Sequence, residues 1–252
     1  MNLLLLEPEE LGADGTVRLV GRRAAHVREV LGAAPGQRVK AGVVGGRLGE
    51  AEVLAASERE VVLRASLDGD PPPACPVSLL LALPRPKILR RVLQAAAAMG
   101  VKRIALVGSW RVEKSYFASP LLDAGALREE LLLGLEQGRD TSVPEVSVRR
   151  LFKPFVEDEL DALFPERSRL LAHPAGRGPI EALAPRDERA ALAVGPEGGW
   201  TAYEAGRLRE RGFEPFSLGP RVLRVDAAVP YAVAQAELWL RTRTRGRPGD
   251  AS

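Results

Sequence analysis

The chain has 252 residues, 46% hydrophobic and 27% charged, with 25 glycines, 20 prolines and a formal net charge of +3, proportions that exclude disordered, collagenous and fibrous classes. A single cysteine, Cys75, excludes an intramolecular disulfide and any zinc site with two Cys ligands, and with His26 and His173 the only histidines no metal site is expected. The apolar start from Met1 to Leu6 is too short for a signal-peptide core and no run approaches the roughly 18 residues of a membrane span, so a soluble protein of the reducing cytoplasm is expected.

The first segment reads as short strands at Thr16 to Val20, Arg38 to Val44, Gly49 to Ala55 and Glu60 to Ala65, with one brief helix around Ala24 to Leu31. A small β-barrel is the natural expectation. The stretch Asp68-Gly69-Asp70-Pro71-Pro72-Pro73 is the strongest linker signal, and charge divides there: residues 1 to 72 carry nine Lys/Arg against eleven Asp/Glu, leaving +5 on the remainder. Beyond it the rhythm becomes strand, helix, strand: Val77 to Leu83, Lys87 to Met99 stopped by Gly100, then Val101 to Val107. It continues with a helix around Leu121 to Glu136, strands at Leu170 to His173 and Ala191 to Val194, a helix from Thr201, a short strand at Pro215 to Leu218 and a final helix after Asp226. Such alternation predicts an α/β domain with a mostly parallel sheet, whose ligands bind at the carboxyl ends of strands. The predicted domains are 1–72 and 73–245, followed by a tail at 246–252.

Two segments carry chemistry. Ala193-Val194 runs into Gly195-Pro196-Glu197-Gly198-Gly199, and Thr201 with Glu204 forms a capping box that starts a helix at once. Glycines and free amides there suit a carboxylate or a polar heterocycle edge, and Glu197 argues against phosphate. Leu218-Gly219-Pro220-Arg221-Val222-Leu223-Arg224 repeats the plan, with Asp226 as N-cap, and the two loops are expected to end adjacent strands. Arg221 and Arg224 would then lie beside Glu197. A plain pair of structural turns is the competing reading. Between Pro84 and Lys114, Arg85, Lys87, Arg90, Arg91, Lys102, Arg103, Arg111 and Lys114 face Glu113 alone, which is either a nucleic-acid patch or a solvated helix face.

These residues resemble the bacterial ribosomal small-subunit RNA methyltransferase E family, a SPOUT-class group that methylates N3 of a uridine in 16S ribosomal RNA. The likeness rests on Gly195 to Gly199 with Glu204 and on Leu218 to Arg224. It extends to Gln94 with Gly100-Val101, to Glu136-Gln137-Gly138-Arg139 with Val143-Pro144-Glu145, and to His26 with Val30-Leu31. The resemblance implies a trefoil-knotted C-terminal domain, a PUA-like N-terminal barrel and a homodimer. It implies S-adenosyl-L-methionine as cofactor, held by Leu171, Gly195, Glu197, Gly198, Gly199, Leu218, Gly219, Leu223 and Arg224. On that footing Arg224 is expected to stabilise the uridine anion and Asp226 or a water to take its proton, while Arg85, Lys87, Arg90, Arg91, Arg111, Lys114 and Arg139 would meet RNA of the small ribosomal subunit.

The chain departs from the family pattern at Val225, Asp226 and Ala227, and it has Ala95, Ala98 and Gly32 where the family has charged residues. Another RNA target and a non-catalytic RNA-binding module therefore stand beside the first reading. Elsewhere Cys75 reads as an inert linker residue, Trp200 as the anchor of the capped helix, His173 as either pocket rim or packing, and Arg241, Arg243, Arg245 and Arg247 as a basic tail. The small residues from Ala227 to Ala236 fit helix packing within one chain or between two.

Overall fold

Alternation decides the first five strands. In the computed structural model, which describes residues 3–30, 32–174, 176 and 178–244, β1 (Leu4–Leu6), β2 (Thr16–Val20), β3 (Arg38–Val43), β4 (Leu48–Ala56) and β5 (Glu60–Gly69) form one sheet in the order β1-β3-β4-β5-β2. Every second residue points inward, so Val17 and Leu19, Val39 and Ala41, Ala51 and Val53, and Val61 and Leu63 make a common core with Leu4, Leu6 and Val27. The brief helix is an α turn, Gly21–Ala25, running into a π turn, His26–Val30. Leu31, Arg245, Arg247 and the predicted tail fall outside the described residues, as do the side chains of His26, Val30 and Arg243.

The chain divides into a unit of Met1–Pro73 with Leu131–Val143 and a unit of Ala74–Glu130 with Pro144–Ser252. A single boundary after residue 72 does not account for Leu131–Val143. That segment joins the first unit through backbone bonds, Leu3 N to Glu136 O at 2.8 Å and Gly45 N to Thr141 O at 2.8 Å, which no local pattern announces. Asp68 and Gly69, expected in the linker, finish β5.

The second unit is a six-stranded parallel sheet of β6 (Val77–Ala82), β7 (Arg103–Val107), β8 (Glu145–Arg149), β9 (Ser168–Ala172), β10 (Ala190–Val194) and β11 (Glu214–Phe216), ordered β11-β9-β10-β6-β7-β8. β6 and β10 are buried along their whole length, as strands in the middle of a parallel sheet should be, and the polar Ser78 of β6 donates to Glu166 Oε1 at 2.6 Å. Pro215, which has no N–H for a ladder, sits on an edge strand. The helix Pro86–Ala98 starts on a proline whose fixed φ suits the first helical position. It ends in a Schellman arrangement, Gly100 N to Ala97 O and Val101 N to Ala96 O, both 3.0 Å. Its buried stripe of Ile88, Leu89, Val92, Leu93, Ala96 and Ala97 repeats at helical spacing.

β9 corrects one expectation. It lies between β10 and β11, so the two glycine loops do not end adjacent strands. Strand order is set by where each crossover packs, which hydrophobic periodicity does not encode. The short strands β1 and β8 also lack a separate signal in the sequence.

Cys75 is buried and belongs to the second unit. Burial pushes its thiol up to about 11, so thiolate is scarce at pH 8. A disulfide-exchange reagent at that pH should label the native protein far more slowly than the unfolded chain, and equal rates would contradict the burial.

Candidate active site

The strand register brings Phe216, Ala172 and Val194 into one row across β11, β9 and β10. Just beyond this carboxyl edge lies a pocket of about 730 Å³, at the position where parallel α/β sheets bind ligands and within their usual size range. Its wall comes from three strand ends and one helix. His173 and Pro174 follow β9; Gly195, Pro196, Glu197, Gly199 and Trp200 follow β10; Ser217 to Leu223 follow β11; and Val225, Ala228, Tyr231 and Gln235 come from the final helix, Val225–Thr244.

Each loop is held in place by backbone bonds. Gly199 N donates to Pro196 O at 2.7 Å, His173 N to Phe216 O at 3.0 Å, and Ser217 N to Gly178 O at 2.9 Å. Gly199 and Gly219 sit at φ of +72° and +112°, in the left-handed region where a side chain is strained, so both turns require glycine. The capping box is present as predicted: Thr201 Oγ1 accepts from Glu204 N at 3.2 Å, and Glu204 Oε2 accepts from Thr201 N at 2.8 Å. The second oxygen of that buried carboxylate accepts from Trp110 N at 2.8 Å, tying the loop after β7 to the loop after β10. Arg111 adds a further tie by donating to Gly198 O.

Of the residues expected to hold a cofactor, Gly195, Glu197, Gly199, Leu218, Gly219 and Leu223 line this pocket together. Three others do not. Leu171 is buried inside β9 and its neighbour Ala172 reaches the wall instead. Gly198 faces Arg111, whose Cδ would lie 3.0 Å from a Cβ placed there. Arg224 is exposed beside the pocket, and its carbonyl accepts from Ala227 N and Ala228 N, so it opens the final helix. This displaces the expected N-cap, because Asp226 is already inside the first turn. Asp226 lies off the pocket wall and pairs with Arg91 Nη1 at 3.0 Å. Negative charge there also complements the helix dipole.

The cation beside Glu197 is Arg85, whose Nε lies 3.3 Å from Glu197 Oε1, rather than Arg221 or Arg224. The basic stretch is thus partly neutralised, since Arg90 also pairs with the buried Glu130 at 3.0 Å and Gln94 Nε2 donates to the same carboxylate at 2.6 Å. The side chains of Arg85, Arg90 and Arg91 stay more than half exposed, and the Arg85–Glu197 pair, whose two partners both reach solvent, is of the surface kind that contributes about 0 to 1 kcal/mol, so a phosphate competes for Arg85 readily. Lys87, Arg111 and Lys114 are exposed. Arg139 lies in the first unit, where it closes the helix Ala124–Gly138 at φ +54°.

Tyr231 and Gln235 were missed from the sequence. Their signal is helical spacing, for with Val225 and Ala228 they lie three and four residues apart on one face of the final helix. Trp200 anchors the loop, 3% exposed and packed on Phe152 with ring centroids 5.7 Å apart.

His173 lines the pocket, and burial pulls its imidazole below the usual histidine range. The folded protein therefore binds this proton less readily than the unfolded chain. Its contribution to stability is complete above the ordinary value of 6.5 and is lost as pH falls below that value. An NMR titration should place the His173 midpoint below 6.5; a midpoint at or above it would contradict the burial.

Among the described residues no cluster of three His, Cys, Asp or Glu side chains is placed to hold a metal ion, and no helix is long and apolar enough to cross a membrane.

The chain is similar to known proteins. A family model described as RNA methyltransferase domain matches residues 71–237. Ribosomal RNA small subunit methyltransferase E of Treponema pallidum (strain Nichols) is 30% identical over 261 residues, covering 100% of this chain and 97% of that one. Ribosomal RNA small subunit methyltransferase E 1 of Borreliella burgdorferi is 23% identical over 228 residues, covering 90% and 94%. Among solved structures, a ribosomal RNA small subunit methyltransferase E from Neisseria gonorrhoeae bound to S-adenosyl methionine superposes with a TM-score of 0.72 at 22% identity, covering 93% of this chain and 95% of that one.

Proposed function

The chain belongs to the ribosomal RNA small subunit methyltransferase E family, and from that premise we propose that it transfers a methyl group from S-adenosyl-L-methionine to N3 of a uridine in 16S ribosomal RNA. The observation that carries this reading is the glycine-walled pocket at the carboxyl ends of β9, β10 and β11. The residues fit the cofactor. Gly199 and Gly219, where a Cβ would meet nothing within 4 Å, let a ligand edge approach the backbone, and Gly195 lets the loop close on itself, since a Cβ there would lie 3.0 Å from Trp200 N. Glu197 offers an acceptor for ribose hydroxyl or amino groups, and Val194, Trp200, Leu218, Leu223 and Val225 supply an apolar wall. Bound there, S-adenosylmethionine supplies a methyl carbon already activated by its sulfonium, which leaves orientation and exclusion of water to the protein.

Uridine N3 must lose a proton as the new bond forms. Arg224, exposed at the pocket mouth, stabilises the negative charge that develops on the base. Asp226, steadied by Arg91, accepts the proton directly or through a water. Leu171 and Gly198, assigned to the cofactor by resemblance, adjoin Ala172 and Gly199 of the wall, and Arg85, Lys87, Arg90, Arg91, Arg111, Lys114 and Arg139 bind phosphates of the substrate RNA.

The same reading makes the first unit a PUA-like module that positions RNA and the second a trefoil-knotted domain of a cytoplasmic enzyme. It also makes the protein a homodimer. Ala227, Tyr231, Ala234 and Leu238 form an exposed stripe on the final helix at spacings of four, three and four, an apolar seam suited to a second copy, and Tyr231 belongs to the pocket as well.

Calorimetric titration with S-adenosylmethionine tests the pocket. The account expects saturable binding to the wild-type protein and a loss of about tenfold or more in Gly199→Val, because a β-branched side chain in the left-handed region costs roughly 1 to 2 kcal/mol. No binding to the wild type would contradict it.

A further inference from the structure

The loop after β7 carries an indole that packing leaves unexplained. Trp110 is 87% exposed, whereas the other two tryptophans, Trp200 and Trp239, are each 3% exposed. Its backbone is nonetheless fixed, because Trp110 N donates to Glu204 Oε1 at 2.8 Å and the next residue, Arg111, donates to Gly198 O in the loop that walls the pocket. A large apolar ring on a clamped backbone loses little further entropy when something covers it. The register Leu81, Leu106, Val148 continues the row of Val194 across β6, β7 and β8, so Trp110 stands just beyond the same carboxyl edge as the pocket.

The charge around it narrows the occupant. Lys114 and Arg150 are exposed along this edge, and Arg111, also exposed, donates to the backbone carbonyl of Gly198. Of the nearby carboxylates, Glu197 is paired with Arg85, which leaves Glu113, hydrogen-bonded by the Tyr116 hydroxyl, set against Arg111, Lys114 and Arg150. An aromatic face set among cations is the composition that holds unpaired bases of a single strand while binding its phosphates. The same surface of a second copy, brought up by a two-fold axis, would oppose like charge to like charge. The apolar stripe of the final helix lacks that conflict.

We propose that Trp110 is a base-stacking residue that takes an unpaired nucleobase of the RNA substrate next to the nucleotide at the pocket. The inference rests on the RNA methyltransferase reading above and adds a residue outside its two signature loops. Trp110 positions RNA and does not touch the cofactor.

The test uses the full-length protein with small ribosomal subunits that lack the modification, and protein-free 16S RNA for fluorescence. Stacking predicts that Trp110→Ala raises KM for subunits about 5- to 100-fold, the range expected for loss of one base–aromatic stack, with kcat and S-adenosylmethionine affinity unchanged. Trp110→Tyr should restore most of the loss. Because Trp110 is the one exposed tryptophan of three, acrylamide should quench wild-type emission strongly and 16S RNA should abolish that component. A Trp110→Ala enzyme with wild-type KM would overturn the stacking role while leaving the methyltransferase reading intact. A shift from dimer to monomer in Trp110→Ala on sedimentation would overturn it in favour of a self-association contact. A wild-type protein that binds S-adenosylmethionine yet methylates no RNA would bring down both.

Discussion

Replacing Arg224 by Ala should lower the rate of methyl transfer by about 100- to 1,000-fold, the range seen when one preorganised donor to a developing anion is removed, while S-adenosylmethionine affinity stays nearly unchanged. The separation follows from position. Arg224 is exposed beside the pocket rather than in its wall, and its part in the fold is a backbone carbonyl that accepts from Ala227 and Ala228. Truncating the side chain removes the guanidinium without disturbing the helix start. The loss should therefore fall on kcat in single-turnover assays, since a charge that exists only in the transition state does not contribute to ground-state binding. An unchanged kcat would transfer the anion-stabilising role to another cation, and Arg221, which does line the pocket, is the nearest alternative.

The largest effect on stability is expected at Trp200. Trp200→Ala removes a side chain that is 3% exposed and packed on Phe152, a change that costs about 3 to 5 kcal/mol in well-packed interiors. Denaturant unfolding measures it directly. Trp200→Phe is the informative control, because it keeps most of the apolar contact and deletes the buried indole Nε1, which has no hydrogen-bond partner among the described residues. Leaving a buried donor unmet costs about 1 to 3 kcal/mol, so its removal offsets part of the lost packing. A Trp200→Ala protein as stable as the wild type would mean that the loop after β10 does not depend on this anchor.

Local chemistry was legible wherever one segment contains its own partners. Thr201 and Glu204 announce the capped helix because both halves of the box lie within four residues. Gly100 announces the end of the helix Pro86–Ala98 in the same way. The glycine loops were readable as a site, and six of the residues assigned to them line one pocket.

What could not be read joins distant residues. Glu204 shows its capping role in the sequence, but nothing local reveals that its other oxygen reaches Trp110, 94 residues away. Arg85 and Glu197 are 112 residues apart, and the nearer Arg221 and Arg224 were the natural guess. β9 separates β10 from β11 because crossover packing, rather than sequence order, places parallel strands. Asp226 resembles an N-cap by residue type, yet the helix opens at Arg224, and element ends are where pattern reading is least exact.

The most direct test of the proposed function is transfer of labelled methyl from S-adenosylmethionine to small ribosomal subunits purified from a strain lacking this gene, followed by nucleoside mass spectrometry of the 16S RNA. The account predicts label in 3-methyluridine, lost in Arg224→Ala. Label in any other nucleoside, or no transfer by a protein that binds the cofactor, would contradict it.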